Sequence, residues 1–243
     1  MSDKQPEWEP KKIKNIIQGY TSAEWARQLQ MCKSHGRVAR LQLADKELSN
    51  AWRKKGVLPE SSWRWAIRAQ LDVLATSVNM CFVYKLWNSA ICPLCKKEVP
   101  SLSHVLCACE AISSNAYTYR HNLVVDLLEE CCIKHGWKVV TKGVELPESL
   151  IRPSLRRDLQ HTRPDMVLVN DFTAHRIEVI LVEVAVAFES DRNLARVNAR
   201  KKETYTELMR AIALTRQEKQ VIVRVVPVII GARGIVQYSG PKT

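Results

Sequence analysis

The chain has no apolar run long enough to cross a membrane. Its best candidate, VILVEVAVAF at residues 179–188, falls well short of the roughly 20 residues a spanning helix needs and carries Glu183. The amino-terminal stretch MSDKQPEWEPKK is polar and does not read as a secretory leader. No membrane partner is therefore expected. Internal repeats and low-complexity tracts are also lacking, and the 46% hydrophobic and 26% charged content is that of a globular fold with a sizeable core. Acidic residues are in short supply: 25 Asp and Glu face 37 Lys and Arg, a net charge of +12 over 243 residues. A surplus of that size favours polyanionic partners, because each neutralised phosphate releases condensed counterions. A merely basic soluble protein is the plainer alternative.

Eight cysteines are present. In an intracellular chain they point to metal binding or buried thiols rather than to a disulfide framework, and hence to a reducing compartment. Four of the eight are concentrated in CPLCKKEVPSLSHVLCAC, which holds Cys92, Cys95, His104, Cys107 and Cys109. With Cys109 as the fourth member the spacing is C-x2-C-x8-H-x4-C; Cys107 is the other candidate. Two thiolates two residues apart can close on one ion, and a His and a Cys at i and i+5 can supply the remaining corners of a tetrahedron. Four such ligands leave no open position, so the ion would be structural zinc. A set of buried thiols beside a surface histidine is the alternative.

Along the chain, residues 1 to about 20, with Pro6 and Pro10, read as a loose leader. Residues 21 to about 87 have a helical pattern. One helix is expected to start at Thr21, with Glu24 completing a capping box, and another at Ser61 or Ser62 after Gly56 and Pro59. Trp52, Trp63, Trp65 and Trp87 stand among basic residues there. They read as core, with stacking on nucleic-acid bases as the alternative. A helix over Asn115 to Lys134 follows the cysteine cluster, with Leu123, Leu127 and Leu128 on one face. The period then changes. DMVLV and IEVILVEVAVAF read as a strand, turn, strand hairpin across NDFTAHR. A long helix from about Asp191 to Arg216 comes next, and then a strand, VIVRVVPVIIG, in which Pro227 marks an edge or a bulge.

Three residues in this back half stand out. Glu183 sits within a strand that reads as buried on both faces, and an unpaired buried carboxylate costs several kcal/mol. Antiparallel pairing of the two strands would bring Asp165 near it, and a divalent cation would compensate the repulsion between them. The alternative partner for Glu183 is an arginine such as Arg163. On the helix, Leu194, Val197, Lys201, Tyr205, Leu208 and Ile212 fall within an arc of roughly 80° at 100° per residue. This core-facing stripe has a lysine at its centre, while Lys202 lies further round. Arg192, Arg196 and Arg200, at i, i+4 and i+8, form an outward row suited to backbone phosphates or simply to solvent.

RPD at 163–165, EVAVAFE at 183–189 and ARKKETY at 199–205 together resemble the restriction-like endonuclease domain of site-specific non-LTR retrotransposons, a branch of the PD-(D/E)xK superfamily. In that branch the lysine has moved from the strand to the following helix. Here Ala185 occupies the strand position and Lys201 stands four residues before Tyr205. VPVIIGARG is similar to the family's next strand, the cysteine cluster with AYTYRHNLVVDLL to its zinc knuckle and helix, and RAQLDVLATSVNM to its linker. The likeness spans roughly residues 35 to 240. Ala75 and Thr204 depart from the family pattern, and the reverse transcriptase domain is missing. The chain would thus be a fragment, a decayed copy or a host-adopted piece.

The resemblance implies an α/β fold: a helical region over residues 1–89, a zinc knuckle over 90–113, and a restriction-like endonuclease core, a mixed sheet flanked by helices, over 114–243. It implies a nuclear DNA endonuclease in which Asp165 and Glu183 hold Mg²⁺ or Mn²⁺. Lys201 would complete the site, Tyr205 would support it, and Arg163, Arg192, Arg196, Arg200 and Lys202 would contact nucleic acid. Expected partners are a double-stranded DNA target, the element RNA and the polymerase domain of the parent polyprotein. A catalytically inactive nucleic-acid-binding module is the competing expectation.

Overall fold

The computed structural model describes residues 10–33, 35–54, 56–157, 159, 161–173, 176–215 and 220–237. The first element, α1 (Pro10–Met31), overturns the loose leader from residue 10 onward and the helix start at Thr21; residues 1–9 of that expected leader lie outside the described residues. Proline is well suited to a first helical position, where no N–H is needed. Thr21 is instead interior, its hydroxyl donating back to the carbonyls of Ile17 (2.9 Å) and Gln18 (3.1 Å). Glu24 binds Arg27 and Gln28 one turn on rather than closing a capping box. Two helices follow, α2 (Lys46–Asn50), capped by the Asp45 carboxylate on the Leu48 N–H, and α3 (Glu60–Gln70), which starts directly after Pro59.

The tryptophan expectation is corrected for three of four residues. Trp63, Trp65 and Trp87 are exposed; the first two stand on α3, which buries only its carboxyl end, Ala69 and Gln70. Trp52 is half-buried, with its indole N–H on the Ser49 carbonyl. Ile16, Ile17, Tyr20, Trp25, Phe82 and Leu86 are exposed as well.

Helix α4 (Thr118–Lys134) begins three residues later than expected, since residues 113–117 form a wider π turn. Its buried face is Val125, Leu128 and Cys132, spaced i, i+3, i+7. Leu128 and Cys132 pack on Met166, Leu168 and Val182. Leu123 and Leu127 are exposed. At 100° per residue Leu128 is turned about 140° from Leu123, so the three leucines never shared a face.

Strand β1 (Lys138–Lys142), short helix α5 (Pro153–Arg156), and strands β2 (Met166–Thr173) and β3 (Arg176–Ala187) come next. The crossover helices α6 (Asp191–Thr204) and α7 (Thr206–Thr215) lead to β4 (Gln220–Gly231). The sheet is mixed, in the order β1-β2-β3-β4, with β1–β2 and β2–β3 antiparallel and β3–β4 parallel. The β2–β3 hairpin matches the sequence expectation, with strands that run into the polar NDFTAHR segment. The parallel β3–β4 pair requires the long helical crossover. Pro227 lies opposite Glu183 in an unshifted register at the end of the strand order, so it marks an edge and not a bulge.

Strand alternation builds two cores. Val167, Val169, Ile177, Val179 and Leu181 pack with Tyr205, Leu208 and Ile212 on one face, while Met166, Leu168 and Val182 meet α4 on the other. The result is an α/β architecture with helices on both sides of a four-stranded sheet. The expected single helix from Asp191 breaks at Tyr205, whose backbone leaves helical values (φ −105°, ψ 11°) while its ring is buried in the core. Arg216, its expected last residue, lies outside the described residues. No helix among the described residues is long and apolar enough to cross a membrane.

Candidate functional sites

The cysteine-rich segment folds into a compact cluster. The donor atoms of Cys92, Cys95, His104 and Cys109 all lie within 4.8 Å of one another. Cys92 Sγ is 4.0 Å from Cys109 Sγ, and Cys95 Sγ is 3.5 Å from His104 Nε2. Local backbone geometry explains the convergence. The Lys96 N–H closes a turn on the Cys92 carbonyl (3.0 Å), which brings the first two thiols to one side. His104–Ala108 form a π turn closed by the Cys109 N–H on the His104 carbonyl (2.8 Å). A five-residue turn aligns i with i+5, so His104 and Cys109 face the same way. Cys107 leaves the cluster and lies beside Arg120, which decides between the two candidate fourth members.

The surroundings favour a metal. His104 Nδ1 lies 3.0 Å from Glu98 Oε2, which orients Nε2 toward the thiols. Burial works against the Cys92 thiolate, but hydrogen bonds from the Cys95 and Leu94 amides and from His104 outweigh it and bring its pKa down to about 6. Amides of Lys97 and Glu98 likewise lower that of Cys95. Tyr117 ties the cluster to the start of α4, donating to the Val105 carbonyl (2.8 Å) and accepting from the Cys109 N–H (3.0 Å). Three thiols and one imidazole at this separation could hold a metal such as zinc.

The second constellation lies where β2 and β3 enter the α6–α7 side of the sheet. The Asp165 N–H donates to Glu183 Oε1 (3.1 Å), and Asp165 Oδ2 accepts from the Val184 N–H (2.8 Å). The pairing of Met166 with Val182 fixes this approach, since it sets Asp165 next to Glu183. Lys201 Nζ donates to Glu183 Oε2 at 2.5 Å. The stripe read from the sequence explains its aim: Leu194, Tyr205, Leu208 and Ile212 are buried, and the lysine between them reaches the carboxylate. Burial, then the nearby Glu183 and Asp165 charges, hold the Tyr205 phenol protonated well above its ordinary range. Its hydroxyl donates to the Arg163 carbonyl (3.3 Å) and so anchors the Arg-Pro-Asp turn.

Asp165, Glu183, Lys201 and Tyr205 are therefore brought together. The others are not. Arg163 points outward and pairs with Glu145 (2.8 Å), so Lys201 rather than Arg163 is the partner of Glu183. Arg192, Arg196, Arg200 and Lys202 line the exposed side of α6, where Arg192 and Arg196 border a surface recess with Ser190 and Asn193.

Two features went unread in the sequence. His121 of α4 places Nε2 3.2 Å from Asp165 Oδ2, a contact across 44 positions that no local pattern signals. Glu189, the last residue of EVAVAFE, forms a fully buried pair with Arg233 (2.9 Å), whose guanidinium stacks over Phe188 at 4.5 Å. A Cβ at Gly231 would run into the Glu189 side chain, which accounts for glycine there. The Arg233 carbonyl in turn accepts from Gln70 of α3 (3.2 Å), and Asp191 Oδ1 accepts the Gln42 and Leu43 N–H groups (2.9 Å each). These contacts seat the helical region on the end of the sheet. Comparison with protein-family models and with curated proteins gives no match, so the chemistry of the site rests on this geometry.

Proposed function

We propose that the chain is a divalent-metal-dependent DNA endonuclease of the PD-(D/E)xK type, with the cysteine–histidine cluster as a structural zinc knuckle. The observation that carries this reading is the convergence of Asp165, Glu183 and Lys201 beside the two central strands of the mixed sheet. Two carboxylates on adjacent strands form a hard oxygen donor set that fits Mg²⁺ or Mn²⁺. When bound, such an ion supplies an activated water and stabilises charge developing on the scissile phosphate. Lys201 neutralises Glu183 and is 31% exposed, within reach of a phosphate oxygen. Tyr205 stays a hydrogen-bond donor and holds the turn that presents Asp165. The basic side of α6 suits the backbone of a duplex target in nuclear DNA. The exposed apolar side chains of the helical region fit a further protein surface, which in the resembled polyproteins is the polymerase domain; element RNA would be a second ligand.

One observation favours the binding-only alternative. His121 and Lys201 already occupy an oxygen of each carboxylate, so both side chains have a protein partner without a metal ion. Supercoiled plasmid incubated with Mg²⁺ or Mn²⁺ separates the two. Wild type is expected to nick it, and Asp165→Ala and Glu183→Ala to lose about 100-fold or more of that rate. Equal cleavage by all three proteins would refute the site; cleavage by none would favour binding alone.

A further inference from the structure

Between the cysteine–histidine cluster and the sheet runs a groove of about 300 Å³, lined by Cys107, Tyr117, Thr118, Arg120, His121 and Val186. Its polar equipment is cationic. Arg120 lies with its guanidinium carbon 5.3 Å from the Tyr117 ring centroid, and its Nε is buried with no hydrogen-bond partner. A buried donor left unpaired costs free energy, and such groups are ordinarily satisfied by protein, water or ligand. Tyr117 is itself fixed to the carbonyls of His104 and Val105, so the stacked guanidinium is pre-positioned by the cluster.

No free negative charge opposes an anion there. None of the residues that line the groove is acidic, and the nearby Glu189 carboxylate is paired with Arg233. His121 lines the groove and also contacts Asp165 Oδ2, so the groove ends at the carboxylate centre with an imidazole standing before the carboxylate.

We infer that this groove is a phosphodiester subsite, in which Arg120 takes a backbone phosphate of the nucleic-acid strand next to the one presented at Asp165. The Arg120 guanidinium, which lines the groove, offers charge-assisted hydrogen bonds to a phosphate oxygen, and Val186 and Tyr117 offer apolar walls for the adjoining sugar. The inference rests on the nuclease reading only for the identity of the ligand as a strand, and it assigns Arg120 and His121 a binding role that cutting does not have to reveal.

The test is binding of a fluorescent DNA duplex in EDTA, titrated over a series of salt concentrations, where no cleavage can occur. Arg120→Gln should weaken binding about tenfold and lower the slope of log K against log salt by about one. Thr118→Asp places a negative charge at the groove rim without touching Arg120, and an acid in the first turn of α4 favours the helix. It should weaken binding by a similar factor. Lys134→Gln removes one charge at the far, exposed end of α4 and should bind as wild type. Metal content and thermal midpoint report folding. Wild-type affinity and slope in both groove variants would overturn the inference. So would wild-type binding by Thr118→Asp if Arg120→Gln proved misfolded, because Arg120 would then be structural. Weakened binding by a folded Thr118→Asp supports it in either case. Failure of wild type to cut plasmid would remove the nuclease reading and leave this result standing, and the converse also holds.

Discussion

Replacing Lys201 by methionine isolates the interaction on which the carboxylate centre depends. The Glu183 side chain is only 3% exposed, and its Oε2 receives the Lys201 ammonium at 2.5 Å. Methionine keeps most of the stem and removes the charge. Deleting one partner of a fully buried ion pair costs about 3–5 kcal/mol, because the other charge is stranded. Lys201 is nearly one-third exposed, so solvent screens part of the interaction, and Glu183 keeps the Asp165 N–H as a donor. The expected loss is therefore about 2 kcal/mol. In urea that moves the unfolding midpoint down by about 1 M, for a slope of about 2 kcal/mol/M. The double variant Glu183→Gln/Lys201→Met should recover to within about 1 kcal/mol of wild type, since the stranded charge is gone. Adding Mg²⁺ should narrow the gap for Lys201→Met more than it stabilises wild type, as a cation replaces the missing ammonium. A Lys201→Met midpoint equal to wild type within about 0.5 kcal/mol would refute the reasoning, because Glu183 would then be satisfied without its lysine.

The remaining predictions concern the cluster and the docking of α4. Cys109→Ser should bring bound zinc from about one per chain to well below that, whereas Cys107→Ser should leave it unchanged; equal zinc in both, by metal analysis of purified protein, would contradict the four-donor set. Lys142 of β1 reaches Asp126 (2.7 Å) and Glu129 of α4, and these side-chain bonds raise its pKa to about 12. A raised folded pKa means that its stabilisation is complete below the unfolded value of 10.5 and lost as pH rises through about 12. The midpoint difference between wild type and Lys142→Met should accordingly be constant from neutral pH up to that range and vanish above it, and should shrink with added salt.

The parts of the candidate sites that were legible in the sequence are those governed by short separations. Cys92, Cys95, His104 and Cys109 lie within 18 residues, and turns of two and five residues suffice to gather them. The approach of Asp165 to Glu183 follows from a hairpin, because strand alternation and antiparallel pairing leave few registers. Lys201 was legible for the same kind of reason: helical periodicity places it on the face of α6 with Leu194, two turns away. Local pattern also misled. The leucines of α4 looked like a face but were not, and the tryptophans of α3 at helical spacing proved exposed, since among the described residues α3 buries only Ala69 and Gln70.

By itself, then, the sequence determined the α/β class, the hairpin, the cluster and the face on which Lys201 sits. These depend on backbone periodicity and on contacts a few residues apart. Only the tertiary structure decided that β1 joins the sheet beside β2, that His121 meets Asp165 across 44 positions, and that Glu189 finds Arg233 across another 44. Each of those contacts joins elements whose separation in the chain says nothing about their separation in space. Their cost in chain entropy is met by burial of apolar surface over the whole domain, so no window of the sequence carries them. The groove at Arg120 is of the same kind: one wall comes from the cluster, one from α4 and one from β3, and it exists only once all three have packed.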